Sequence, residues 1–266
     1  MPVISRVGIS NGFIKTNSSF TPVIPDPTGF VIQNLITRYE VGEIDSFTGI
    51  GTVINDTTVN NNDASIYNGF LFTFDDGGAV LLDGINRYIE TPDSSLMRGT
   101  VGNAITVQVW MKIEATYSDG DGLFSKQYGD SQNNDGYSLL LKSNNSIGLY
   151  MNGDSVNGQY ISTSNNVWST DTWHLFTAVV RFGGGSLNPS KVYVDTTEIS
   201  LSNGGENAET AITNNTAPFR IASGIQETSA QYTPCKFAAM YVYDRALSSL
   251  DVFRNYQATK DRYGLP

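Results

Sequence analysis

The chain has 266 residues, 39% of them hydrophobic and 11% aromatic but only 16% charged, with 26 glycines and a formal net charge of −10. This composition is ample for a core and suits many short strands joined by uncharged polar turns, in one large all-β domain or two small ones. It excludes several classes: no basic run offers a phosphate-backbone footprint, no stretch nears the roughly 18 apolar residues of a membrane span, and a single cysteine, Cys235, permits neither an intrachain disulfide nor a Cys-rich metal site.

Residues 1–28 differ from the rest. Val3, Ile4, Val7, Ile9, Phe13 and Ile14 are apolar but interrupted by Gly8 and Gly12, and Pro22, Pro25 and Pro27 then preclude regular pairing. The pattern predicts an N-terminal arm and Pro-rich linker that either docks on a neighbouring subunit or folds back as an edge strand. The first residues lack the basic region and apolar run of a signal peptide, which predicts synthesis without export.

The domain is expected over residues 29–266. Phe30–Ile36 reads as a strand, 55–62 as a polar turn region and Phe70–Phe74 as an apolar strand. Ala79–Leu82 and Tyr88–Glu90 flank an Asp83-Gly84 turn. Ile105–Ile113 alternates, with Ile105, Val107, Val109, Met111 and Ile113 on one face. Trp110 breaks the polar face, so either both faces are covered or an aromatic is exposed. Further strands are predicted at Gly122–Lys126, Tyr137–Lys142, Ser146–Met151, Tyr160–Thr163, Trp173–Phe182, Lys191–Val194, Phe219–Ile221 and Lys236–Tyr243, separated by Asp-Gly, Asn-Asn, Asn-Gly and Gly-rich turns. From about 248 the period changes, and Ser248 or Ser249 can cap a short helix carrying Leu250, Val252, Phe253 and Tyr256.

Six segments occur in a telling order: Asp83-Gly84 with Asn86, Tyr88 and Ile89; Trp110; Leu123–Lys126; Trp173-His174 before Ala178–Val180; Val192–Asp195; and Tyr241–Ser248 ahead of the helix. Together, over about residues 79–255, they resemble the laminin-G-like branch of the concanavalin A-like lectin/glucanase superfamily. Thr196 departs from that pattern, which commonly has Gly after the Asp. The resemblance implies an all-β fold, a concanavalin A-like jelly-roll β-sandwich, here with an extended N-terminal arm and a short C-terminal helix. The Arg245–Ser248 run and the tail to Leu265 look like the ends of such domains in tailed-bacteriophage virion proteins.

Members of that superfamily bind sugars, cleave them or hold assemblies together, so the residues must discriminate. Glu43-Ile44-Asp45-Ser46-Phe47-Thr48 is similar to the Glu-x-Asp-x-x-Glu strand of the superfamily's retaining glucanases, but Thr48 stands where the second glutamate is needed. His174 is the sole histidine; no Gly-x-Ser-x-Gly elbow accompanies it, and a backbone-satisfying role is the stronger reading. No catalytic residue and no cofactor is therefore expected. Calcium is the one ion left open, at Asp119 and Asp121, Asp75 and Asp76, or Asp130 and Asp135, because some laminin-G-like domains hold it at a rim. Sugar stacking would need exposed aromatics near amide-rich loops, for which Trp168, Tyr160, Tyr128 and Tyr150 are the candidates.

The expectation is a non-enzymatic bacteriophage virion structural protein, a capsid decoration or tail and fibre accessory. It would be assembled in the host cytoplasm, homo-oligomeric, and held to other virion proteins through residues 1–28 and the C-terminal tail. The alternative is a carbohydrate-binding module for host or environmental glycans, and a distant third is a glycoside hydrolase.

Overall fold

A computed structural model describes residues 29–99, 103–127, 136–153, 156–182, 190–203, 216–224 and 231–266. The expected arm over 1–28 lies outside them. In chain order the strands begin β1 (Leu35–Glu40), β2 (Val53–Ile54), β3 (Ala64–Tyr67), β4 (Leu71–Thr73), β5 (Ala79–Asp83) and β6 (Tyr88–Thr91). They continue β7 (Ala104–Ile113), β8 (Gly122–Gln127), β9 (Gly136–Lys142), β10 (Ser146–Gly153), β11 (Val156–Ser162) and β12 (Trp173–Arg181). The last are β13 (Lys191–Val194), β14 (Thr197–Ile199), β15 (Leu201–Asn203), β16 (Phe219–Ile221) and β17 (Pro234–Tyr243), followed by helix α1 (Ser249–Thr259).

Among these residues the strands form two antiparallel sheets. The first runs β14-β13-β12-β7-β17-β5-β4, with β1 also paired to β17; the second runs β15-β11-β10-β9-β8-β16-β6-β3-β2. The inward residues of β7, at 105, 107, 109, 111 and 113, meet Leu139, Leu141, Ile147 and Leu149 of the second sheet in the main core. Each such buried aliphatic or aromatic side chain contributes about 1.5–3 kcal/mol, and their alternation fixes which face of every strand is inside. In β17 the register against β7 skips between Phe237 and Ala239. The extra residue, Ala238, reverses the alternation: Cys235 and Phe237 point into the main core, and so do Met240 and Val242.

That reversal turns Ala239, Tyr241 and Tyr243 to the outer face of the first sheet, beside Trp110. There a second cluster gathers Phe30, Val31, Trp173, Leu247, Val252 and Tyr263. Both faces of this sheet are thus covered, which resolves the reading of Trp110: its indole N–H donates to Thr259 Oγ1 at 2.9 Å, and its ring lies against Tyr256 and Tyr263 at 5.7 and 4.3 Å between centroids. Ser248 caps α1 with a reciprocal Asp251 bond, as the local pattern predicts.

Two expectations shift. The strand expected over Phe30–Ile36 starts at Leu35, because Asn34 adopts φ 59° in a turn closed by Leu35 N–H to Ile32 O. Tyr243 OH instead donates to Val31 O at 2.8 Å and holds that residue in the outer cluster. The Asp83-Gly84 turn is not a hairpin: β5 pairs with β17 and β4, whereas β6 pairs with β16 and β3. It is the corner where the chain crosses from one sheet to the other. The hairpin with Thr196 closes nevertheless, Val194 pairing with Thr197 and Asp195 taking φ 55°.

Candidate functional site

The outer face of the second sheet carries a row of aromatics. Tyr67 and Tyr88 face each other in register across β3 and β6, with rings parallel to within 4° and 4.9 Å apart. Tyr232, beside Ser223 in an isolated bridge, stacks with Tyr88 at 5.8 Å. The Arg220 guanidinium lies 4.6 Å from the Tyr88 ring and donates to Glu90 at 2.7 Å, its partner in register. Burial, outweighing the nearby Arg220 cation, pushes the Tyr88 phenol above its ordinary value. Tyr67 remains 40% exposed at the end of the row.

Tyr232 also walls a cavity of about 480 Å³ at the rim, lined with Asp83, Ser118, Asp119, Asp121, Gln231 and Pro234 among others. The corner residue Asp83 accepts backbone N–H bonds from Ile85, Asn86 and Arg87 at 2.9, 3.2 and 3.3 Å, with the Arg87 side chain on its other oxygen at 3.2 Å. Burial pushes this carboxyl up, but those donors outweigh it and hold it below the usual range. Gly84 has φ 69°, and a Cβ there would lie 2.8 Å from the Pro234 ring, so the corner requires glycine.

Asp119 and Asp121 differ in kind. The two oxygens of Asp119 are taken by Lys142 at 2.5 Å and the Ser143 hydroxyl at 2.9 Å; burial opposes these bonds, and they prevail in keeping the carboxyl low. Asp121 is only 6% exposed and accepts the Ser118 N–H on Oδ2 at 2.7 Å; burial raises its carboxyl above the ordinary value. The Gln231 side chain lies over Gly120, where φ is 95° and a Cβ would meet the amide nitrogen at 2.4 Å. Its backbone carbonyl accepts from Gly122 and Gly224 at 3.2 and 2.8 Å, fixing the segment that presents Tyr232 just before β17.

Of the residues expected to contact glycan, Trp168 and Tyr150, whose side chains are described, are not brought together. Trp168 is a correction: it is 2% exposed, its indole N–H donates to Ser146 O at 3.2 Å, and its ring packs on Tyr117 and Phe176 within the main core. It presents no face to solvent. Tyr150 is half-buried on β10 with the Lys142 ammonium 5.9 Å from its ring. Tyr160 lies on β11 opposite Leu149, its side chain outside the described residues, as is Tyr128. The row of Tyr67, Tyr88 and Tyr232 was missed. Its only sequence signal is that Tyr67 and Tyr88 occupy the outward positions of strands whose inward positions are Ile66 and Ile89.

Glu43–Phe47 is a turn, not a strand: Ser46 and Phe47 N–H both bond to Glu43 O, and the carboxylates of Glu43 and Asp45 are exposed. His174 accepts the Ser169 N–H on Nε2 at 3.1 Å, so its proton sits on Nδ1 and is donated to Asp195 at 2.8 Å. Asp195 also accepts the Leu175 N–H at 2.9 Å, so the pair closes the backbone N–H groups of Ser169 and Leu175. Among the described residues no three Asp, Glu, His or Cys side chains gather as an ion would require. Asp76, one calcium candidate, accepts from Trp173 Nε1 at 2.9 Å, and Asp130 and Asp135 lie outside the described residues. No helix among the described residues is long and apolar enough to cross a membrane.

A laminin-G family model, described as concanavalin A-like lectin/glucanases superfamily, matches residues 83–253. No curated protein sequence matches the chain. Among solved structures, the binding domain of Paraclostridial Mosquitocidal Protein 1 is similar at TM-score 0.62 and 16% identity, over 84% of this chain and 52% of that one. Domain 4 of AbnA, an extracellular GH43 arabinanase from Geobacillus stearothermophilus solved with arabinotriose, is similar at TM-score 0.58 and 17% identity, over 84% and 98%. Trypanosoma rangeli sialidase is similar at TM-score 0.59 and 13% identity, over 86% and 33%. The chain therefore spans about half of the first structure and a third of the sialidase, and at these identities the likeness is one of fold. With its two antiparallel sheets, its Asp83 corner and a family match across most of its length, the chain belongs to the concanavalin A-like lectin/glucanases superfamily, in the laminin-G branch.

Proposed function

We propose that this protein is a non-catalytic structural module of a bacteriophage virion, a capsid decoration or tail and fibre accessory that displays its sandwich outward. One observation carries the reading. Phe30 and Val31, where the described chain begins, and Val252, Tyr256, Tyr263 and Leu265 of the tail pack in one cluster on the outer face of the first sheet. The tyrosine row lies on the far side, on the second sheet. A module attached through both of its ends from one side leaves the other side free to be presented. The phage setting comes from the resemblance of the tail to such virion domains, and attachment to other virion proteins and homo-oligomerisation go with it. Deleting residues 2–28 tests the attachment: particle co-sedimentation should be lost, and undiminished co-sedimentation would show the reading to be wrong.

A second reading, a carbohydrate-binding module, is favoured by the tyrosine row and the rim cavity, since carbohydrate recognition combines aromatic surface with a few convergent polar groups. A glycan array with the purified protein separates the two: reproducible binding supports recognition, and a blank array leaves the structural role alone.

A further inference from the structure

We propose that residues 3–15 of one copy pair as an added strand with the free edge of β4 in a second copy, an inference that rests on the homo-oligomeric reading and supplies its contact. β4 ends the first sheet: among the described residues it pairs with β5 alone, through Leu71, Phe72 and Thr73. An edge strand leaves a row of backbone donors and acceptors for another chain to complete, and proteins commonly blunt such an edge with charge or proline. Here the strand itself carries neither. Leu71 is 60% exposed, and Phe74, which follows it, is 79% exposed with its ring against Phe72 at 4.8 Å.

The neighbouring turn extends this surface. Phe47 packs on Phe70 and Phe72, and a Cβ at Gly49 would lie 2.6 Å from the Phe72 ring, so the turn runs beside β4. It adds the exposed side chains of Ile44 and Ile50. Acidic groups rim the same surface: Glu43 and Asp45 in the turn, and Asp75 after Phe74, are all exposed.

The N-terminal segment complements both features. Val3, Val7 and Ile9 fall on one face of an extended strand and Ile4 and Arg6 on the other, with Phe13 and Ile14 following. Arg6 and Lys15 are its charged side chains, and no Asp or Glu precedes Asp26, in a chain whose net charge is −10. An apolar, cationic strand thus meets an apolar, acidic edge. Backbone pairing supplies affinity, and the charges help to fix register.

The arm comes from a second copy. Phe30, at the start of the described chain, shares the walls of a cavity of about 230 Å³ with Glu43, so the arm departs beside the acceptor edge. Pro22, Pro25 and Pro27 favour an extended path of about 25 Å for residues 21–28, which leads the arm away from that point. Two copies with these edges facing each other exchange arms reciprocally about a two-fold axis, and the closed contact leaves neither edge open.

The test is size-exclusion chromatography with light scattering on the full chain, on a deletion of residues 2–15 and on the double variant Leu71→Lys/Phe74→Lys, whose sites are exposed. The full chain should be oligomeric, the deletion monomeric, and the double variant roughly tenfold weaker or more in self-association. Mixing the two altered proteins should restore a hetero-oligomer, because one keeps its arm and the other keeps its edge. A monomeric full chain would overturn the proposal, as would self-association that survives the deletion or ignores the edge substitutions. Altered proteins that do not complement each other on mixing would overturn it too, since arms folded back on their own edges behave in that way. Should the double variant fail to fold, amide hydrogen exchange at residues 71–74 reads the same edge: it should be slower in the full chain than in the deletion, and equal rates would sink the assignment. Particle co-sedimentation is scored separately, and its absence in an oligomeric full chain counts against the virion reading and not against the arm exchange.

Discussion

Asn255 Oδ1 accepts the backbone N–H of Val31 at 2.8 Å, joining the C-terminal helix to a residue 224 positions earlier in the chain. Its amide nitrogen donates to Gln108 Oε1 at 2.6 Å and to Tyr243 OH at 2.8 Å, and Tyr243 OH donates in turn to Val31 O. Asn255 is fully buried, so these bonds are made without competition from water. One side chain closes the polar groups of the helix, the entering chain and two strands.

Asn255→Ala should therefore cost about 2–4 kcal/mol, because Val31 N–H and Gln108 are left buried with unmet needs of about 1–3 kcal/mol each. Asn255→Leu, closer in volume, should do no better. Urea denaturation at neutral pH measures this, and a loss below about 1 kcal/mol would mean that the network is not holding the helix down.

The Asp251 carboxyl is held below its ordinary value: burial pushes it up, but the Ser248 N–H and hydroxyl and Arg245 prevail. A carboxyl lowered by folding binds its proton first in the unfolded chain as pH falls. Its stabilisation is thus complete above the unfolded value of about 3.9 and is lost as pH drops through the lower folded one. Asp251→Asn should be less stable than the parent near neutrality, and the difference should shrink as the solution is acidified below about pH 4. Thermal melts of both proteins across that range check it, and a difference that grows on acidification contradicts the assignment.

Trp168 should behave as a core residue. Trp168→Ala is expected to cost about 3–5 kcal/mol in chemical denaturation, as for other buried aromatics, with Phe at this position milder because it keeps the contacts to Tyr117 and Phe176. A Trp168→Ala protein as stable as the parent would place the indole outside the core.

Much of the fold was legible because its signals are local. The alternation of β7 needs only neighbouring residues to be read, and so does the Ser248–Asp251 cap, three positions apart. The Asp83 corner announces itself by the Asp-Gly pair, though not its destination: a turn residue shows that the chain bends, and only the partners β17 and β16 decide that it changes sheets.

By itself, the sequence determined the all-β class, the positions of most strands and the capped helix, since hydrophobic period and turn chemistry act over a few residues; its six ordered segments carried the resemblance to the superfamily. The tertiary structure alone decided which aromatics are inside. Trp110 is covered by Tyr256 and Tyr263 from the far end of the chain; Trp168, on a connection that also carries Asn165, Asn166, Ser169 and Thr170, is drawn into the core by Tyr117 and Phe176. The candidate site follows the same rule. Tyr67, Tyr88, Asp121 and Tyr232 come from four separate segments, and only the pairing of β3 with β6 and the bridge of Tyr232 to Ser223 set them side by side. Burial and site geometry are properties of long-range register, and no window of sequence contains them.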